Sequence, residues 1–394
     1  MSQHWDVLIT NELLDKIRQS VGCVPLQGVI RDDDRLAVVT SAGGEQEQIG
    51  WASATSIEAT REGLWITASP GGLNRAFFNP NQVETVKLHP YADSQRFARL
   101  EDILDVKRLR KSVVTLVGCG AVGSEMARYL ASAGVERFYL ADCDFLLPVN
   151  LPRHAGDVRD LFRRKCEVVK DVVRFRSPST DVDTFHGDIT NEGYEWLVNA
   201  VRQSDLVIAT TDSNAAQATT NAVCVSNQTP FLSCGVWEQA FGGEVFWAFP
   251  VGSKQAQIYG ATPCFHCVFG SVRLTQDEPE RKPQDAPCVV LTTGEPGIGI
   301  DLAFTSQVAL AVSVAILDPS PARRVLLENK SNLIYCHSGQ ANRWLGQFKG
   351  PFDVQYKSVT FNRECPVCGG SAAAMPSSHP AAGQHRSPAT LPGA

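Results

Sequence analysis

The strongest constraint on this chain is the hexapeptide Gly118-Cys119-Gly120-Ala121-Val122-Gly123, set between an apolar β-branched run (113–118) and a helical pattern (121–133). Glycines at that spacing permit a tight strand-to-helix turn and close backbone approach to a ligand, and they aim unpaired helix N–H groups at phosphate. Asp142 closes the next apolar run (137–141), about twenty residues on, where a carboxylate can bind ribose hydroxyls. The alternation continues with a helix over 158–175, a strand at 205–209, a helix over 214–225, and strands at 231–235 and 244–249. Such alternation builds parallel βαβ units, so the expected fold class is α/β with a Rossmann-like doubly wound sheet. The turn implies an adenine nucleotide without saying which. An NAD(P)-dependent oxidoreductase would suit the turn and Asp142 but leaves the residues that follow unexplained.

No Gly-Lys-Ser/Thr closes the turn, so it is not a Walker A loop, and a triphosphate here needs charges from elsewhere. The sequence supplies them: Asp142-Cys143-Asp144, then Asn150-Leu151-Pro152-Arg153-His154, then Lys165. An acid pair, an amide, an arginine and a lysine within one crossover could hold ribose, phosphates and a transition-state charge. Asp212 follows the 205–209 strand, at the carboxyl edge of the sheet where open α/β folds bind ligands. A carboxylate there suits Mg²⁺, which takes one or two carboxylates plus substrate phosphates. Taken singly, these are ordinary solvated charges or helix caps; together they read as an ATP site.

The chain has 12 cysteines. Its polar first residues give no secretory signal, so disulfides are the least expected use of these thiols. Cys264-Phe265-His266-Cys267 and Cys365-Pro366-Val367-Cys368 are two Cys-x₂-Cys knuckles, and four thiolates at such spacing suit a closed tetrahedral Zn²⁺ site. Because the pairs are far apart in sequence, the metal would staple the C-terminal part onto the main domain. Cys119, Cys143, Cys166, Cys224, Cys234 and Cys336 fall within or beside regular elements and are expected in the core. Cys288 stands apart, after a polar, proline-rich stretch (276–287).

Residues 1–90 read as a small α+β accessory domain of unknown role, with a helix over 11–21 and strands at 26–30, 36–40, 64–68 and 83–88. Residues 91–370 form the nucleotide-binding domain. Residues 371–394, rich in Ala, Pro, Ser and Gly, are expected to be disordered. A net charge of -6 and only short basic clusters argue against a nucleic-acid partner. The apolar stretch 302–317 is interrupted by Thr305, Ser306 and Gln307 and is read as a buried helix, with no membrane association and a cytoplasmic location expected.

Gly-x-Gly-Ala-Val-Gly, Asp-x-Asp, Asn-Leu-x-Arg, the following Lys, and Thr-Asp-Ser with Asn221 resemble the E1-like activating enzymes, across about residues 96–369. That superfamily includes the sulfur-carrier activators of thiamin and molybdopterin synthesis and the ubiquitin-activating enzymes. The resemblance implies adenylation, with ATP and Mg²⁺, of the C-terminal glycine of a ubiquitin-like protein. It implies that Gly118, Gly120, Ala121 and Gly123 form the nucleotide turn, that Asp142 binds ribose with Asp144 beside it, that Asn150, Arg153 and Lys165 hold the phosphates, and that Asp212 organises Mg²⁺. It implies an arginine finger, Arg99 in Phe97-Ala98-Arg99-Leu100 with Arg96 as second choice, often supplied by the partner of a homodimer. Zinc on Cys264, Cys267, Cys365 and Cys368 is a shared feature. The region around Cys288 resembles the crossover loop whose cysteine takes the acyl group as a thioester for an E2-like conjugating enzyme. Gln217 departs from the arginine that many relatives carry. The extra first domain and the extended loop at 275–286 make the chain look closer to bacterial activators from ubiquitin-like conjugation or defence operons than to sulfur-carrier activators.

Overall fold

The computed structural model describes residues 5–20, 23–31, 36–42, 48–53, 63–68, 75–78, 86–270, 296–328, 331–339 and 348–369. Cys288, its surrounding loop and the 371–394 tail lie outside the described residues.

The N-terminal residues build a mixed seven-stranded sheet around one helix. Its elements are β1 (Trp5–Thr10), α1 (Asn11–Gln19), β2 (Cys23–Arg31), β3 (Leu36–Ala42), β4 (Gln48–Ser53), β5 (Leu64–Thr67), β6 (Arg75–Phe78) and β7 (Val86–Tyr91). They pair in the order β6-β5-β4-β2-β3-β1-β7. The Thr10 hydroxyl caps α1 by accepting from the Leu13 N–H, and Leu13, Leu14 and Ile17 turn inward at helical spacing onto Val7, Ile9 and Leu26. The α+β expectation holds. The sequence pattern does not announce strands β1, β4 and β6; β4, Gln-Ile-Gly-Trp-Ala-Ser, is broken by a glycine and owes its conformation to β2 and β5 on either side.

The second sheet has eight strands in the order β10-β9-β8-β11-β12-β13-β14-β15. Those strands are β8 (Val113–Val117), β9 (Arg137–Asp142), β10 (Asp181–His186), β11 (Leu206–Ala209), β12 (Phe231–Val236), β13 (Gly242–Ala248), β14 (Leu333–His337) and β15 (Val354–Lys357). The first five run parallel and the last three are antiparallel. In chain order the parallel part is 3-2-1-4-5, and the order reverses between β8 and β11, where doubly wound sheets open their ligand crevice. Preceding or joining these strands are α2 (Val106–Leu109), α3 (Ala121–Ala133), α4 (Lys165–Arg176), α5 (Tyr194–Gln203), α6 (Asn214–Ser226), α7 (Lys254–Tyr259), α8 (Phe265–Phe269), α9 (Gly299–Leu317) and α10 (Pro321–Glu328).

Both sheet faces are covered, as continuous β-branched runs require. Val114, Leu116 and Ile208 pack with Met126, Leu130, Val169 and Ile316 from α3, α4 and α9 on one face. Val117, Val207 and Ala209 pack with Leu197, Val223 and Phe265 from α5, α6 and α8 on the other. Helix α9 is long and apolar enough to cross a membrane, but 56% of its apolar window is buried inside the protein, including Ala309, Val312 and Ile316 in the main core. One expected element changes: the helix over 158–175 begins only at Lys165. Phe162 takes φ 65, and the chain before α4 folds back to pair with residues 145–146, with Leu146 N–H donating to Arg163 O and Phe162 N–H to Leu146 O, both at 2.8 Å.

Candidate active site

The reversal point of the sheet assembles the nucleotide turn. The Gly118 backbone, at φ +99, passes so close to β11 that a Cβ there would lie 2.7 Å from Thr211 N. A Cβ on Gly123 would meet Gly118 O at 2.0 Å and Thr210 Oγ1 at 2.6 Å. Thr210 closes the turn by donating from its hydroxyl to Gly118 O at 2.7 Å. Gly120 differs: a Cβ there meets nothing within 4 Å among the described residues. Gly120 is also the N-cap residue just before α3, and no side chain caps that helix. An open space before uncapped N–H groups suits a phosphate.

Asp142 ends β9 beside this turn. One carboxylate oxygen accepts from Cys119 N–H at 2.6 Å and the other from Asp144 N–H at 2.8 Å. Burial pushes its carboxyl above the usual range, opposed by the charge of Lys165. Further lone pairs remain on these oxygens for ribose hydroxyls. Lys165 opens α4, is 9% exposed, and bonds Asp144 Oδ2 through Nζ at 2.8 Å. Burial works against its charge, but Asp142, Asp144 and Asp212 together hold its pKa above the usual lysine range. Lys165 is therefore a fixed cation among all three carboxylates, Asp142, Asp144 and Asp212, that the sequence singled out at this edge of the sheet. Asp212 is exposed just past β11, next to the Ser213 hydroxyl that caps α6.

Asn150 turns inward on its own loop, its Oδ1 accepting from Leu147 N–H at 2.9 Å, and its carbonyl accepts from Arg153 N–H at 3.0 Å. Arg153 is half-buried and lies against Gly297 and Gly299 at the start of α9, opposite the left-handed pair Gln239 and Ala240. The two arginine candidates separate. Arg96 is committed within the chain: it pairs with Glu136 at 2.9 Å, donates to Ser177 Oγ at 2.6 Å, and covers the Phe97 ring at 4.2 Å. Arg99 is exposed.

His154 was not singled out from sequence. It is 8% exposed, with Nδ1 accepting from Gly156 N–H at 2.9 Å and Nε2 bonded to Cys119 O at 2.9 Å. The Gly156 donor makes Nδ1 the acceptor, so Nε2 carries the proton and donates to the nucleotide turn. Burial lowers its pKa to about 4. A histidine next to an expected phosphate arginine was the available signal. The pairing partner, 35 residues earlier, was not.

The four knuckle cysteines converge. Their Sγ–Sγ separations include 3.9 Å for Cys264–Cys267, 3.6 Å for Cys264–Cys365 and 3.3 Å for Cys267–Cys368. A tetrahedron of thiolates about 2.3 Å from zinc has edges of roughly 3.8 Å, so the donor set fits. Hydrogen bonding between Cys368 and Cys264 holds the Cys264 thiol below its usual range and the Cys368 thiol above it. Of the cysteines expected in the core, Cys119, Cys166, Cys224, Cys234 and Cys336 are buried, and burial raises their pKa values, to about 12 for Cys166 and Cys336. Cys143 is a correction: it is exposed, because the chain leaves the sheet at Asp142.

Comparison with known proteins agrees with this architecture. The chain is 28% identical over 289 residues to the sulfur carrier protein ThiS adenylyltransferase of Escherichia coli (strain K12), covering 71% of this chain and 97% of that protein. It is 26% identical over 211 residues to ubiquitin-like modifier-activating enzyme 5 of Drosophila erecta, covering 50% of each. It thus spans about half the length of that relative. Among solved structures, E. coli MccB with MccA-N7isoAsn shares the fold at a TM-score of 0.52 and 17% identity, covering 71% of this chain and 75% of MccB. The profile of the ThiF family matches residues 92–333, and the chain belongs to that family of adenylyltransferases.

Proposed function

We propose that this adenylyltransferase activates the C-terminal carboxylate of a ubiquitin-like protein. The observation that carries the reading is the buried Lys165 held among Asp142, Asp144 and Asp212 at the reversal point of the sheet. The glycine turn and the α3 N-terminus receive phosphate, Asp142 binds the ribose, and Asn150, Arg153 and Lys165 hold the phosphate charge. Asp212 would hold Mg²⁺, which supplies charge neutralisation on the departing phosphates. A carboxylate oxygen of the substrate attacks the α-phosphorus of ATP, the bond to the β-phosphate oxygen breaks, and pyrophosphate leaves. The chain's own part is positioning and charge stabilisation by Arg153, Lys165 and an exposed Arg99, the last reaching across a homodimer. Cys288 then attacks the acyl carbon as thiolate, AMP leaves, and the thioester passes to an E2-like conjugating enzyme. Zinc on Cys264, Cys267, Cys365 and Cys368 serves structure alone. A cytoplasmic enzyme of a bacterial conjugation or defence system accords with this reading.

A second reading, adenylation of a sulfur carrier without a thioester on this chain, is favoured by the 97% coverage of the ThiS adenylyltransferase. Incubation with ATP, Mg²⁺ and a ubiquitin-like protein on non-reducing gels separates them. The first reading expects an ATP-dependent, thiol-sensitive adduct that vanishes in Cys288→Ala. Pyrophosphate exchange without any adduct would establish the second. Exchange that survives Asp212→Ala unchanged would remove both.

A further inference from the structure

Asn221 lies on α6 with no exposed surface. Its Oδ1 accepts from the backbone N–H of Phe265 at 3.0 Å, the residue that follows Cys264 and opens α8. A backbone N–H can only donate, so this bond orients the amide and sends Nδ2 the other way. That Nδ2 is buried and, among the described residues, lacks a hydrogen-bond partner of ordinary geometry, and it faces the Cys264 sulfur. Buried amide N–H groups are seldom left unmade in native proteins. A thiol is a poor acceptor, whereas a thiolate is a charged one and the form that binds metal. The orphaned donor is therefore complementary to the metal-bound state of Cys264. The same helix begins beside Asp212, and Gln217, one turn before Asn221, donates from Nε2 to Thr211 O at 2.6 Å.

We infer that Asn221 is a positioning residue of the metal centre: its Oδ1 holds the first turn of α8, and its Nδ2–H donates to the Cys264 thiolate when zinc is bound. This rests on the zinc reading of the four cysteines. Groups around a metal that orient its ligands commonly change affinity 10–100-fold when removed.

The test uses the full chain loaded with Zn²⁺ and competed with a chromogenic chelator, and the same chain loaded with Co²⁺ for its thiolate charge-transfer band. Asn221→Asp keeps an acceptor for Phe265 but removes the donor to sulfur; Asn221→Leu removes both without adding charge. Expected is roughly 10–100-fold weaker zinc retention in both variants, with a shifted Co²⁺ charge-transfer band. Wild-type retention and an unchanged band in Asn221→Asp would overturn the donor role, as would a loss confined to Asn221→Leu. A loss confined to Asn221→Asp would point to charge repulsion and overturn it equally. Should Asn221→Leu fail to fold, the Asn221→Asp band decides. A wild-type chain without one zinc would remove the metal reading itself and this inference with it, which separates the two failures.

Discussion

His154 makes the stability of the nucleotide domain depend on pH in a way that one substitution should erase. Its folded pKa is lowered to about 4 from 6.5, chiefly by burial, so the folded protein resists a proton that the unfolded chain accepts. The contribution of neutral His154 is complete above pH 6.5. It is lost progressively as the pH falls toward 4 and changes little below that. A depression of this size corresponds to about 3 kcal/mol across the window. Protonation would turn an Nδ1 donor toward the Gly156 N–H, now 2.9 Å away, a conflict that the strengthened Nε2–H bond to Cys119 O offsets only in part. In His154→Gln the amide can keep the donor to Cys119 O while carrying no titratable proton, at a pH-independent cost for the lost Gly156 partner. Urea midpoints, converted to free energies, should be compared for the two proteins from pH 7.5 to 4. The effects of other titrating groups, among them Asp142, whose raised pKa acts with opposite sign and favours the folded state as the pH falls, occur in both and cancel in the difference. The wild type is expected to lose about 2–4 kcal/mol more than the variant below pH 6.5. Parallel curves would refute the reasoning.

Gly123→Ala is expected to abolish ATP–pyrophosphate exchange and to cost about 1–3 kcal/mol in urea unfolding, because its Cβ would lie 2.0 Å from Gly118 O and the turn must open. Normal exchange in a folded Gly123→Ala protein would show that the turn does not seat the nucleotide. Arg96→Ala and Arg99→Ala should behave in opposite ways. The first strips Glu136 of a partner at 2.9 Å and lowers stability while leaving exchange intact. The second, at an exposed side chain, changes stability by less than about 0.5 kcal/mol but lowers exchange by roughly 10²-fold or more. The reverse pattern in a paired stability and exchange measurement would exchange their assignments.

Features readable along the chain are those whose physics is local. Gly118 and Gly123 announce a turn because only a missing Cβ fits 2.7 Å and 2.0 Å from backbone atoms, and each stands in the right place between a strand and a helix. The Cys-x₂-Cys pairs announce metal because ligand type and short spacing suffice. Helices α3, α6 and α9 followed from apolar periodicity or an apolar run. Where local pattern and packing diverged, packing prevailed. Residues 158–164 carry helical-looking spacing, yet only Val158–Asp160 make a short 3-10 turn, and residues 162–164 fold back onto residues 145–146 in a hydrogen-bonded pairing, with Phe162 left-handed. Strand β4, whose pattern is broken by Gly50, forms between neighbours that supply its ladder.

By itself, then, the sequence determined the α/β class, the glycine turn and two cysteine pairs that could hold a metal, since each depends on residues within a few positions of one another. Only the tertiary structure decided that Lys165 is a buried cation shared by Asp142, Asp144 and Asp212, that Arg96 is spent on Glu136 while Arg99 is not buried, that His154 braces the turn through Cys119, that Cys143 faces solvent, and that Asn221 meets the first knuckle. Each of these pairs groups that are distant along the chain or sets exposure by where the chain leaves the sheet. Residue type states what a side chain can donate, accept or ionise; chain closure and packing choose its partner and its dielectric surroundings.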